Sequence, residues 1–244
     1  LKPSPGETLD TLFGGRLVIF QRAHGYRFSI DAPILAHFAA PGLKEPIVDL
    51  GTGTGAVALI LAYKFGLGQI TAVELQPQLA EMAGRSVRAN GLEARVRVVT
   101  ADLGDLDSLP GASAAGVVCN PPYRRLGTGR INPEDEKALA RHELRASLAQ
   151  VAAAADHLLR QKGRLFMIYP APRLSALLHA LKGQGLEPKR VRFVHSREGD
   201  GAVLVLVEAL KGGGEGLKVE PPLVVYTPGG SYSAEVASYF EAPV

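Results

Sequence analysis

The sequence is short of cysteine, of long apolar runs and of net charge. One cysteine, Cys119, in 244 residues excludes an internal disulfide framework and any cysteine-clustered zinc site, which points to a reducing, cytoplasmic compartment. No apolar run is long enough to cross a bilayer, and the Pro/Gly-rich start lacks the basic-then-apolar order of a secretion signal. Membrane residence and export are therefore not expected. A formal net charge of +3 tolerates a polyanionic partner without requiring one. What remains is a chain with 46% hydrophobic residues, enough for one substantial core, so residues 1–244 read as a single domain: a cap over 1–42, a core sheet over 43–210 and an extension over 211–244.

Short β-branched runs alternate with longer Ala- and Leu-rich stretches, the pattern of strands joined by crossover helices in a mostly parallel sheet. Strands are expected at 46–50, 69–75, 95–100, 115–119, 163–169, 189–195 and 202–210, with helices at 54–65, 77–90 and 136–161. Only "SREGDG" separates the last two strands, too short for a helical crossover, so they pair as an antiparallel hairpin. The fold class is α/β, Rossmann-like, with seven strands, the last antiparallel, and helices on both faces. Ahead of the sheet, "GRLVIFQRAHGYRFSIDAPILAHFAA" reads as a strand or hairpin followed by a helix from Asp31, whose carboxylate is placed to cap it. After the sheet, "KGGGEGL" links to an extended piece and a short helix.

Chemistry enters with "IVDLGTGTGAVALILA". Gly51, Gly53 and Gly55 join a buried strand to a buried helix, permitting positive φ and letting a ligand rest on bare backbone. The spacing is G-x-G-x-G and no P-loop lysine follows, so the cradled group need not be a pyrophosphate. Glu74 then ends the second strand and Asp102 follows the third, where strand carboxyl ends line the crevice of an open parallel sheet. Glu74 is placed to accept hydrogen bonds from two ribose hydroxyls, Asp102 one from an adenine amino group, and Asp49 to order the loop and approach a cationic amine. Taken singly, each acid also reads as a helix cap or a solvated loop residue.

Over roughly residues 43–210 this pattern resembles the class I S-adenosylmethionine-dependent methyltransferases, whose sheet also ends in an antiparallel hairpin. The resemblance implies S-adenosylmethionine as cofactor and gives Glu74 the ribose. Thr52 in the glycine turn and Leu75 and Leu103 beside the two acids join the expected cofactor set.

The fourth strand ends in "VVCNPPYRRLGTGR". Two prolines fix φ and leave carbonyls without competing N–H groups. Asn120 adds a side-chain carbonyl, and Tyr123 a flat face for stacking. A stiff, acceptor-rich corner suits methylation of a planar NH2: two acceptors hold its hydrogens and direct the recovered lone pair at a sulfonium methyl, with no strong base required. Asn120, Pro121, Pro122 and Tyr123 are the expected catalytic residues, whereas Cys119 is expected to point into the strand layer. In its context "NPPY" resembles the signature of amino-methyltransferases acting on adenine, cytosine or glutamine nitrogen. The motif alone leaves adenine N6 and a glutamine amide undistinguished.

The flanks "LVIFQRAHGYRFSIDAPILAHFA", "ARHE" and "PPLVVYTPGGSYSAEV" resemble the bacterial family that methylates N6 of adenine 37 in a valine tRNA. That resemblance implies that Gln21, Phe28, Ser29 and Asp31 close over the methionine end of the cofactor. Release-factor glutamine methyltransferases carry a helical N-terminal domain, for which the region before Pro46 is too short. For a tRNA partner, Arg124, Arg125, Arg130, Lys137 and Arg141 after the corner and Lys189, Arg190, Arg192 and Arg197 on the late hairpin are the expected phosphate contacts. Glu134, Asp135, Glu136 and Glu143 dilute the first cluster, and a solvated helix face is the competing reading. No metal is expected, and the sequence leaves the oligomeric state open. The competing functions are glutamine methylation in a protein such as a release factor, methylation of another RNA nitrogen, and a non-catalytic cofactor- or RNA-binding module. A nicotinamide-dependent oxidoreductase is disfavoured by the glycine spacing and by the lack of an evident Tyr-x-x-x-Lys pair.

Overall fold

A computed structural model describes residues 2–24, 27–105, 110–121 and 148–243. The chain opens with an antiparallel hairpin, β1 (Glu7–Leu12) and β2 (Leu17–Arg22), followed by helix α1 (Asp31–Ala39). Next come β3 (Ile47–Leu50), α2 (Ala56–Lys64), β4 (Ile70–Glu74), α3 (Pro77–Ala89), β5 (Val96–Thr100) and β6 (Ala114–Cys119). The second half contributes α4 (Leu148–Leu158), β7 (Leu159–Pro170), α5 (Leu174–Gly183), β8 (Leu186–His195) and β9 (Ala202–Lys211). Two dipeptide strands, β10 (Lys218–Val219) and β11 (Leu223–Val224), and helix α6 (Ala234–Ser238) complete it.

Local sequence explains the central elements. "IVDL" of β3 is buried at all four positions, as befits a central strand covered on both faces. Helix α2, "AVALILAYK", is apolar for seven residues and buried along them, so it lies inside the layer rather than on it. Helix α3 is instead amphipathic: Leu79, Met82, Ala83, Ser86 and Val87 are buried at helical spacing, and Pro77 occupies the first turn, where a missing N–H costs nothing.

The main sheet runs β10-β8-β9-β7-β6-β3-β4-β5, with β11 also paired to β8. All its pairings are parallel except those of β9, which is antiparallel to both β7 and β8. Nine strands rather than seven therefore form it, because the extension adds β10 and β11 to the β8 edge. Side chains alternate across β7: Phe166 and Ile168 join the core beneath α1 and α2, while Leu165, Met167 and Tyr169 join the core beneath α4 and α5. From β3 the chain steps outward to β4 and β5, then returns to place β6 on β3's other side. That reversal opens a crevice at the carboxyl ends of β3 and β6, the general ligand position in such sheets.

Three expectations change. Residues 159–161 are strand, not the end of a helix: Leu159 pairs with Ala114, and the chain kinks at Lys162, φ 63°, and at Gly163, where a Cβ would stand 2.8 Å from the Arg160 carbonyl oxygen. Asp31 is the first residue of α1 and not its cap; Ile30 holds the cap position and no side chain caps the helix. Helix α5 lies between the fifth and sixth expected strands, where none was read. The expected helix start at 136 lies outside the described residues.

The extension straps the α1–α2 face. Lys64 Nζ donates to the carbonyls of Ser238 (2.8 Å), Tyr239 (3.2 Å) and Glu241 (2.9 Å). The His37 ring stacks on Tyr239 with centroids 4.0 Å apart. Arg192 grips both oxygens of Glu235, at 2.6 and 2.8 Å.

Candidate active site

Register places the two key turns side by side. Leu50 and Cys119 are the last paired residues of β3 and β6, so Gly51 and Asn120 leave the sheet next to one another. Gly51, Gly53 and Gly55 adopt φ of 67°, 60° and 87°, a region that favours glycine. Their reasons differ. A Cβ on Gly51 would meet nothing within 4 Å, so the turn presents an open cradle, whereas one on Gly55 would stand 3.2 Å from the Ala83 Cβ, so that glycine lets α2 approach α3.

Two buried acids hold the turn. Asp49 Oδ2 accepts from Thr52 Oγ1 (2.6 Å) and from the Ala58 N–H (3.2 Å). Burial, reinforced by the nearby Glu74 charge and opposed by those hydrogen bonds, pushes its carboxyl up to about 7. Glu74, 6% exposed, accepts from the Gly53 N–H through Oε2 (2.8 Å) and from the Gln76 N–H through Oε1 (2.9 Å). Its carboxylate is thereby fixed at the end of β4 with lone pairs to spare. Thr52 is buried and its N–H donates to the Val73 carbonyl (2.9 Å). Asp102 is exposed and its Oδ1 accepts from the Gly104 N–H (2.8 Å). Leu75 and Leu103 are half-buried.

In the N-terminal segment, the side chain of Gln21 is fully buried: Nε2 donates to Asp10 Oδ2 (2.5 Å) and Oε1 accepts from the Phe28 N–H (2.7 Å). Arg27 clasps both Asp10 oxygens, at 2.9 and 2.7 Å. Gln21 therefore acts by tying the segment ahead of α1 to the hairpin. Asp10 and Arg27 were not singled out from sequence, because only the β1–β2 register, which pairs Thr8 with Gln21, brings them together. Asp31 is buried, and Ser29 Oγ accepts from its N–H at 3.4 Å.

At the end of β6, Asn120 is half-buried, Pro121 is buried, and among the described residues no side-chain group bonds the Asn120 carboxamide. Cys119 packs in the α4–α5 core, and burial pushes its thiol well above the ordinary value, which removes it as a nucleophile. Pro122, Tyr123, Arg124, Arg125, Arg130, Lys137 and Arg141 lie outside the described residues.

Lys189 and Arg190 are drawn inward. Lys189 Nζ donates to the Gly214 (3.0 Å) and Glu215 (3.1 Å) carbonyls. Arg190 donates to Glu208 (2.7 Å) and to the Phe38 carbonyl (2.8 Å), and lies over the Phe38 ring. Through β9 and β7 the register sets Arg190 level with Val118 of β6, three strands across from the corner at Asn120. Both cations thus already have partners within the protein.

Among the described residues, no group of His, Cys, Asp and Glu side chains could hold a metal ion, and no helix is long and apolar enough to cross a membrane.

A family model described as a methyltransferase domain matches residues 47–133. The chain is 31% identical to the tRNA1(Val) (adenine(37)-N6)-methyltransferase of Porphyromonas gingivalis over 66% of this chain and 66% of that protein. It is 30% identical to the protein of the same name from Pedobacter heparinus over 74% of this chain and 75% of that one. A ribosomal protein uL3 glutamine methyltransferase of Bordetella pertussis is 30% identical over 54% of this chain and 47% of its own length. The crystal structure of a predicted O-methyltransferase from Agrobacterium tumefaciens superposes with a TM-score of 0.69 at 24% identity, covering 88% of this chain and 98% of that one; at that identity the likeness speaks for the fold. A switch-point crevice holding a glycine turn and buried acids, carried on that fold and in those relatives, makes this chain a class I S-adenosylmethionine-dependent methyltransferase and a member of the tRNA1(Val) (adenine(37)-N6)-methyltransferase family.

Proposed function

We propose that the chain methylates the exocyclic N6 of an adenine in tRNA, at the position 37 named for its relatives. The observation that carries this reading is the corner at the end of β6, where a half-buried carboxamide, bonded by no side chain among the described residues, stands beside the open Gly51 cradle.

The residues present fit S-adenosylmethionine, which supplies an electrophilic methyl on a sulfonium. The open cradle at Gly51 accepts close approach to backbone, and each Glu74 oxygen keeps a lone pair for a ribose hydroxyl. Asp49 offers a carboxylate to a cationic amine, which would draw its raised pKa back down. Asp102 keeps acceptor capacity for an adenine amino group. The tie from Asp10 through Gln21 to Phe28 holds the segment that closes over the methionine end.

Asn120 then accepts one N–H of the target amine through its side-chain oxygen, and the Pro121 carbonyl accepts the other. The Pro121 ring restricts the backbone between the two acceptors, which limits reorganisation during the step. The N–C bond would form as the sulfonium–methyl bond breaks, leaving a neutral thioether; the nitrogen, made acidic by its positive charge, would lose its proton to solvent water without a dedicated base. A bare strand end and a preset angle of approach supply the rest of the acceleration.

A glutamine amide also presents a planar NH2, and the likeness to a uL3 glutamine methyltransferase favours this as the second reading. Incubating the protein with methyl-labelled S-adenosylmethionine and either tRNA lacking the modification or unmethylated uL3 and release factor distinguishes them. Labelled N6-methyladenosine in the digest is the expected product. Labelled N5-methylglutamine would install the second reading, and absence of transfer to any acceptor would leave a binding module.

A further inference from the structure

An RNA that offers a base to Asn120 must lay its backbone across the carboxyl-end rim of the sheet, and the described residues show which cations stand there. Lys189 and Arg190 are already engaged by the Gly214 and Glu215 carbonyls and by Glu208. Across from β6, the last register pair with β7 is Cys119 with Met167. Two residues further along each chain stand Pro121 and Tyr169, so Tyr169 marks the rim one strand over from the catalytic corner.

Immediately beyond β7, the 3-10 turn Ala171–Arg173 doubles back over this point. It holds the Arg173 guanidinium carbon 5.3 Å from the centroid of the Tyr169 ring. Arg173 itself is exposed, and it pairs with no carboxylate among the described residues. A planar cation resting on an aromatic face has already lost much of its rotamer freedom, so a ligand that meets it incurs less ordering cost. The fork of N–H donors matches a phosphate bidentately. Among the described residues, Arg197 is also exposed and in no ion pair at the same end of the sheet, on the β8–β9 turn, but it shares that turn with Glu198 and Asp200, which cancel its field. Arg173 has no such neighbour in its own turn.

We infer that Arg173, seated on Tyr169, is an RNA-binding residue of this enzyme, taking a backbone phosphate of the strand that carries the target adenine. The inference rests on the RNA reading of the site and adds to it the side from which the strand is held.

The test compares wild type, Arg173→Ala, Arg173→Lys and Arg88→Ala in binding of unmodified tRNA across a range of salt, with methyl transfer and S-adenosylmethionine affinity measured alongside. Arg88 is an exposed arginine in the last turn of α3, at the opposite end of the sheet. Arg173→Ala is expected to raise the tRNA KM roughly three- to tenfold and to lower the slope of log affinity against log salt by about one, the signature of one lost phosphate contact. Its kcat, cofactor affinity and melting temperature stay at wild-type values. Arg173→Lys keeps the slope because it keeps the charge, with an intermediate KM, and Arg88→Ala behaves as wild type. An Arg173→Ala protein with unchanged slope and KM overturns the inference while leaving the RNA reading standing. Wild-type protein that transfers no methyl to tRNA overturns both.

Discussion

Replacing Glu74 by glutamine keeps the side chain's shape and removes its charge and one acceptor, and the structure lets the consequences be worked out. The two carboxylate oxygens accept separately, Oε2 from the Gly53 N–H at 2.8 Å and Oε1 from the Gln76 N–H at 2.9 Å, in a site only 6% exposed. A glutamine has one oxygen and one NH2 group, so in either orientation its NH2 faces a backbone donor. One N–H is left without an acceptor, which costs about 1–3 kcal/mol. For a chain of this length a loss of that size lowers the melting temperature by roughly 2–12 °C. Cofactor binding loses more: two hydrogen bonds from ribose hydroxyls change from a charged to a neutral or absent acceptor, about 2–3 kcal/mol together, or a factor of roughly 30 to 160 in Kd. Thermal melting without cofactor reads the first effect, and calorimetric titration with S-adenosylmethionine the second. A lowered melting temperature with Kd changed less than threefold would confine Glu74 to holding the loop. An unchanged melting temperature would refute the hydrogen-bond geometry itself.

Other outcomes follow from the same geometry. Asn120→Ala should lower kcat/KM for methyl transfer by a factor of about 10² or more, as loss of a preset acceptor does, with S-adenosylmethionine affinity nearly intact; a fully active variant removes Asn120 from the chemistry. Asp49, held near 7 when folded against an ordinary value of 3.8, stays protonated while the unfolded chain ionises, so its contribution to stability declines between about pH 4 and 7 and is level above. Both of its partners use Oδ2 alone, so Asp49→Asn keeps the loop and loses that decline; parallel urea-midpoint curves for the two proteins would contradict this. His37, held down to about 4 by burial from 6.5, has the opposite sign: its contribution is present above pH 6.5 and lost as pH falls toward 4, and His37→Phe should flatten that acid loss in the same measurement. Asp10→Ala cuts the tie to Gln21 and Arg27, a partly exposed pair worth about 1 kcal/mol, so S-adenosylmethionine Kd should rise about fivefold with kcat unchanged at saturation; an unaltered Kd would show that the tie does not hold the cofactor segment.

The parts of the site that sequence made legible are those in which neighbours in the chain are neighbours in space. The G-x-G-x-G turn, Glu74 closing β4 and Asn120 closing β6 each sit at a strand end, and parallel pairing brings strand ends together. What stayed hidden depends on distant pairing. "KRVRF" on β8 is basic in composition, but that Glu208 and the Gly214 and Glu215 carbonyls claim two of its cations follows only from the fold. Gln21 was singled out without its partners, since the hairpin that brings Asp10 near it starts before the stretch that drew attention. At 158–162 a leucine pair serves equally as the last turn of a helix or the start of a strand, and periodicity over so few residues cannot divide them. Helix α5 went unread although Leu177 and Leu181 stand four apart on its buried face.

The strap across α1 and α2 bears on how such a chain reaches its native state during synthesis. Lys64 waits for carbonyls 174 to 177 residues downstream, and Phe38 for a guanidinium 152 residues downstream. Until the ribosome has released those segments, the first two helices can form and touch but one flank stays bare to solvent, an adhesive surface of the kind that chaperones hold. The enzyme's amino-terminal half is thus finished only by its carboxyl-terminal half, and closure of the strap belongs among the last events of folding.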